Sequence, residues 1–149
     1  MVKAAVEAAA KSAEELGKTK TLVLGVTVLT SLNEKMLRDE AGVGKKLEQH
    51  VVDLSLMGKE SGINGVVASA REAALIRKEC GEEFLIVSPG VRPLWAASGD
   101  QQRVFTPRQA MEAGADFMVI GRPIIKHRSP REALEMILSE IANNNSGRQ

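Results

Sequence analysis

Two arginines stand in glycine-containing turns that each follow a short apolar run. Ser88-Pro89-Gly90-Val91-Arg92-Pro93 follows Phe84-Leu85-Ile86-Val87, and Gly121-Arg122-Pro123 follows Phe117-Met118-Val119-Ile120. A guanidinium presents a planar fork of N–H donors that matches the oxygens of a phosphate. Glycine at the end of a strand lets backbone approach a ligand closely. Together Arg92, Arg122 and the amides near Gly121 could grip an oxyanion. The alternative is that both are solvated loop arginines, and spacing alone leaves the two readings open. Between the turns lies the loop Leu94–Phe105, with Gly99-Asp100-Gln101-Gln102-Arg103 inside it.

Other chemistry-bearing residues are weaker candidates. Gly42-Val43-Gly44-Lys45-Lys46 has the glycines and lysine of a phosphate loop. It lacks the first glycine at the right distance and the Ser/Thr after the lysine, so it is read as a helix start. His50 falls inside an amphipathic pattern, where a packing or surface role is expected. His127 follows Arg122 by five positions in a charged connector and is a lesser candidate for the same anion site. Cys80 precedes a helix-ending glycine and has no His or Asp beside it, so a structural thiol is expected. No Cys/His cluster has metal-ligand spacing, and no metal site is expected.

The elements that must position these residues alternate. Thr21–Val28, Gly65–Ala68, Phe84–Val87 and Phe117–Ile120 are almost continuously apolar. Such runs suit parallel strands buried on both faces. Each is followed by S/T-x-x-E/Q: Ser31 to Glu34, Ser69 to Glu72, Thr106 to Gln109 and Ser129 to Glu132. That spacing lets the first side chain cap a free amide while the last reaches back to the capping residue. Pro107 and Pro130 stand at first helical positions, where a missing N–H costs nothing. Apolar stripes run through Val43, Leu47, Val51 and Leu54, and through Leu134, Ile137, Leu138 and Ile141. Gly17, Gly81 and Gly114 follow helices, as left-handed C-caps do. The predicted order is one helix, then four βα units in a single domain spanning 1–149. The polar tail 143–149 is expected to be disordered.

Four βα units do not close a (β/α)8 barrel, which needs about 200 residues or more. Four parallel strands leave two open edges and an uncovered inner face. The chain has 149 residues and a formal net charge of +1, which gives no electrostatic case for nucleic acid or an anionic membrane. No apolar run approaches the roughly 20 residues of a membrane span. The first residues lack the apolar core of a signal peptide. A single cysteine excludes an intrachain disulfide and suits a reducing, cytoplasmic setting.

Five segments in register resemble the bacterial orotidine 5′-phosphate decarboxylases. They are Val26-Thr27-Val28-Leu29-Thr30-Ser31, Gly65-Val66-Val67-Ala68-Ser69-Ala70, Ser88 to Pro93, Gly99 to Arg103, and Val119-Ile120-Gly121-Arg122-Pro123. They are similar to the fifth to eighth strands of that barrel and the loops after them. The resemblance implies an α/β fold, the C-terminal half of a TIM barrel with about four βα units. It implies that Thr30 meets the pyrimidine and that Arg92, Gln101, Gly121 and Arg122 contact the phosphate, with Leu94–Phe105 as a lid. The implied activity is a lyase reaction, conversion of orotidine 5′-monophosphate (OMP) to UMP and carbon dioxide in pyrimidine biosynthesis, without metal or organic cofactor. The family's catalytic Lys and Asp array is led by Asp-x-Lys-x-x-Asp, and that string is absent here. Lys59, Lys78 and Lys126 have no flanking aspartates of that pattern.

No catalytic residue is therefore expected on this chain, which in isolation is expected to be inactive. The expected partner is a small molecule, OMP or UMP, and not nucleic acid or membrane. A homo-oligomer is expected, because a second copy would cover the open edges. The alternative is an inactive half-barrel that binds a nucleotide or sugar phosphate, or only self-associates.

Overall fold

The computed structural model describes residues 1–96 and 105–142. Helix α1 (Val2–Glu15) leads into strand β1 (Leu24–Val26). Helices α2 (Glu34–Asp39) and α3 (Leu47–Glu60) precede β2 (Gly65–Val67), and α4 (Ala70–Cys80) precedes β3 (Leu85–Pro89). A 3-10 turn (Leu94–Ala96) and α5 (Pro107–Glu112) lie between β3 and β4 (Phe117–Val119), and α6 (Arg122–Ile125) and α7 (Pro130–Ala142) complete the order. The four strands form one parallel sheet in the order β1-β2-β3-β4. The chain is α/β, and its strands and helices follow the predicted alternation.

Two local expectations change. The first helix after β1 is capped by Asn33 and not Ser31: the Asn33 side chain accepts from Met36 N–H at 2.9 Å. With Asn33 as the cap the helix starts at Glu34, so Glu34 is not at the third helical position that a capping box needs. The second change concerns burial. The strands are covered on one face only. Val66, Ile86 and Ser88 point toward the helices and are 0–1% exposed. On the opposite face Leu24 is 39%, Val26 62%, Phe117 55% and Val119 55% exposed. Continuous apolar runs belong to a closed barrel, whose interior is filled by side chains from all its strands. With four strands, that interior face has nothing opposite it among the described residues.

The covered face makes the core. Val51 of α3 and Ala73, Ile76 and Cys80 of α4 pack with Ile63, Val66, Ala68, Phe84 and Ile86. A smaller cluster of Ala70, Val91, Ala110 and Ala115 lies under the β3 and β4 loops. In the α7 stripe Ile137 is buried with its neighbour Ala133, while Leu134 and Leu138 remain 45% and 55% exposed. Gly65 is demanded by packing, since a Cβ there would strike the Leu85 carbonyl of β3. Gly17, Gly81 and Gly114 have φ of 58°, 86° and 102°, as the predicted helix ends require.

Candidate functional site

The site is built at the C-terminal ends of the strands. After β1 the chain is held down by Thr27, whose N–H and hydroxyl both donate to the Val67 carbonyl, at 3.2 and 3.0 Å. Thr30 follows, exposed. After β3, Gly90 with φ 76° turns the chain. Val91 then enters the core at 2% exposure, Arg92 N–H donates to the Phe105 carbonyl at 3.0 Å, and Pro93 is fully buried. The backbone on both sides of Arg92 is thus anchored while its side chain stays half-buried at the mouth. On the far side of that loop, Thr106 and Gln109 form the predicted capping box, with Pro107 at the first turn of α5.

After β4, Gly121 starts the short α6, and its carbonyl accepts from Ile124 and Ile125 N–H at 2.9 and 3.1 Å. Its φ of −101° is open to any residue, and a Cβ there would meet nothing within 4 Å. Neither a left-handed φ nor packing among the described residues demands glycine at 121. Open space beside a backbone amide is what an approaching ligand needs.

Thr30, Arg92 and Arg122 line one cavity of about 1090 Å³ that runs over the ends of the strands. Among the described residues the guanidinium groups of Arg92 and Arg122 take part in no hydrogen bond or ion pair. Two guanidinium groups at one mouth, without partners among the described residues, offer donors that an oxyanion can accept. Gln101 lies outside the described residues.

The cavity also holds residues that sequence reasoning did not assign to it. Arg71 lines it from the start of α4, as do Glu34, Glu48 and Glu72 from the starts of α2, α3 and α4. Their signal was present: Ser69-Ala70-Arg71-Glu72 follows a strand directly, which puts it at the mouth. The same string has the pattern of a helix cap, and Ser69 does cap α4 by accepting from Arg71 N–H at 3.3 Å. Glu72 is buried, and burial pushes its carboxyl above the usual range. Hydrogen bonds from its own backbone N–H and from Ser69 oppose the shift, and the Glu48 carboxylate adds to it. No lysine and no aspartate lines the cavity among the described residues. Neither histidine lines it. Among the described residues no group of three His, Cys, Asp or Glu could hold a metal ion, and no helix is long and apolar enough to cross a membrane.

A family model described as orotidine 5′-phosphate decarboxylase / HUMPS family matches residues 1–137. The orotidine 5′-phosphate decarboxylase of Syntrophomonas wolfei is 49% identical over 142 residues, which are 95% of this chain and 59% of that protein. That of Geotalea uraniireducens is 49% identical over 140 residues, 91% of this chain and 58% of the relative. The crystal structure of the Lactobacillus acidophilus decarboxylase superposes with a TM-score of 0.79 at 32% identity, covering 95% of this chain and 58% of that one. The chain therefore spans less than two thirds of the length of the relatives it matches.

Proposed function

The chain belongs to the orotidine 5′-phosphate decarboxylase / HUMPS family, and from that premise we infer that it binds a pyrimidine mononucleotide through its phosphate and does not by itself decarboxylate it. The observation that supports this reading is the cavity: Arg92, Arg122 and Thr30 stand around one opening, and among the described residues the two guanidinium groups have no hydrogen-bond or ion-pair partner and no lysine lines the cavity. In this reading Arg92, Arg122, the Gly121 backbone and Gln101 hold the phosphate. Thr30 meets the pyrimidine.

The decarboxylation made by the family generates a carbanion that a lysine protonates, with aspartates supplying electrostatics. The phosphate is remote from the reacting carbon, and its binding energy is used in the transition state. A chain with the grip alone lowers the free energy of bound substrate and product alike. Uniform binding of that kind does not accelerate the chemical step. Lyase activity on OMP is thus proposed for a site completed by the family's Lys and Asp array, and nucleotide binding for the chain itself.

Calorimetric titration tests this directly. UMP is expected to bind, uridine to bind far more weakly, and OMP to bind without loss to UMP above background. Equal binding of UMP and ribose 5-phosphate would favour the second reading, a sugar-phosphate site in which Thr30 contributes nothing. OMP turnover by the purified chain near the rate of a full-length relative would sink the inactive half-site.

Self-association is proposed on separate grounds. The bare sheet face carries Leu24, Val26, Phe117 and Val119, and the free edges β1 and β4 contain no proline or charge to block pairing. A second copy covering this face is expected to give a dimer by sedimentation. A monomer with a cooperative melt would contradict that.

A further inference from the structure

Arg92 and Arg122 sit on different loops, and a single phosphate can engage both only if the loops keep a constant spacing. Among the described residues no hydrogen bond or ion pair joins the loop after β3 to the segment after β4. One ring contact does. Trp95, three residues beyond Arg92, meets His127, five residues beyond Arg122, with ring centroids 5.5 Å apart and an interplanar angle of 69°. This edge-to-face arrangement is the favoured geometry for an aromatic pair.

We propose that Trp95 and His127 are a positioning pair that clasps the two arginine-bearing segments into one anion-binding body. The proposal rests on the phosphate reading above.

Both rings are anchored from behind. Trp95 lies in the 3-10 turn that Ala96 N–H closes on the Pro93 carbonyl at 3.0 Å, and Pro93 is fully buried. His127 Nδ1 lies 2.8 Å from the Ser129 carbonyl oxygen and 3.1 Å from Ser129 N. Protonated at Nδ1, the ring donates to that carbonyl; unprotonated there, it accepts the Ser129 N–H. Either state holds the ring against the start of α7, whose Ala133 and Ile137 are in the core. His127 N–H also donates to the Ile124 carbonyl at 3.2 Å, which ties it to α6 and so to Arg122. The clasp is therefore connected to the core at both ends, and its two jaws are the segments that carry the guanidinium groups. Holding binding groups in place before the ligand arrives lowers the ordering cost of association.

Neither ring touches the anion in this account. Their loss is felt as weaker binding with an unchanged fold. An edge-to-face pair is worth about 0.5–1.5 kcal/mol, which corresponds to a roughly three- to tenfold change in affinity. The test is calorimetric titration of UMP, and of inorganic phosphate, into the full chain and into Trp95→Ala, His127→Ala, the double variant and Trp95→Phe. Each alanine variant is expected to bind three- to tenfold more weakly with its melting midpoint little changed. The double variant is expected to lose no more than either single one, because both remove the same contact. Trp95→Phe, which restores a ring, is expected to recover most of the affinity. Unchanged affinity in a folded His127→Ala, or losses that simply add in the double variant, would overturn the clasp. If the unmodified chain binds phosphate but shows no preference for UMP, the nucleotide reading fails while the clasp is still decided by the phosphate titrations. Binding of neither ligand overturns both.

Discussion

Replacing Arg77 by methionine is expected to destabilise the fold by about 3 kcal/mol. Arg77 projects from α4 to the N-terminal ends of β3 and β4, opposite the cavity. Its side chain is 13% exposed. Nη1 donates to the carbonyls of Gly81, Glu82 and Phe84 at 3.2, 2.6 and 2.8 Å. Nη2 donates to the Gly114 carbonyl at 3.0 Å and to Asp116 Oδ2 at 2.8 Å. The same Asp116 oxygen accepts Ile86 N–H at 2.7 Å. One guanidinium thus fastens the helix end, the turn into β3 and the turn into β4. Methionine keeps most of the apolar stem and removes the donors. Water can reach the exposed Gly81 and Glu82 carbonyls, so they contribute little to the loss. The part-buried Phe84 and Gly114 carbonyls cost about 1 kcal/mol each when left unpaired. The pair with Asp116, which is 32% exposed, is discounted for solvent to about 1 kcal/mol. Urea unfolding followed by circular dichroism measures the sum, with the denaturant slope unchanged. Arg77→Lys is expected to recover only a minor part, because a single ammonium lacks the fork that serves both sets of partners. A loss below about 1 kcal/mol for Arg77→Met would refute this account.

Three further outcomes follow from the site and the sheet. Gly121→Ala is expected to change stability by less than about 0.5 kcal/mol, since its Cβ meets nothing, yet to weaken UMP binding measurably. Gly65→Ala is expected to abolish cooperative unfolding or lower its midpoint steeply, because the added Cβ strikes the Leu85 backbone. Glu72→Gln is expected to raise the urea midpoint at neutral pH. The sign follows from its carboxyl being pushed up by burial: the folded state holds the proton more tightly than the unfolded chain does. Stability is then lost as pH rises from the ordinary carboxylate range through the raised value. The gain from glutamine should vanish below about pH 4, where both states of the carboxyl are protonated. An equal gain at both pH values would remove the electrostatic explanation.

The architecture was legible because its signals are local. Apolar runs, caps such as Thr106 with Gln109, and left-handed glycines at 17, 81 and 114 each depend on a few neighbouring residues. Asn33 displaced Ser31 as a cap because two capping residues lie two positions apart, and local pattern does not rank them. Burial was less legible. Phe117 and Val119 have the composition of interior positions, but interior burial depends on what stands across the barrel. At the site, Arg92 and Arg122 were visible through the glycine turns beside them. That both side chains line one cavity depends on the packed structure and could not be read from order alone. Glu48 and Glu72 were missed because a residue at a helix start serves the helix and the cavity at once. Trp95 and His127 are 32 positions apart in the chain, and only the fold brings their rings together.

We propose that this chain carries the phosphate grip of its family's site without the chemistry. The most direct measurement is one calorimetric and kinetic series with UMP, uridine and OMP on the purified chain and on Arg92→Ala and Arg122→Ala. UMP binding is expected to exceed uridine binding, each arginine removed to cost about tenfold or more in affinity, and OMP to remain unconverted. Uridine bound as tightly as UMP, with both arginine variants unaffected, would contradict it.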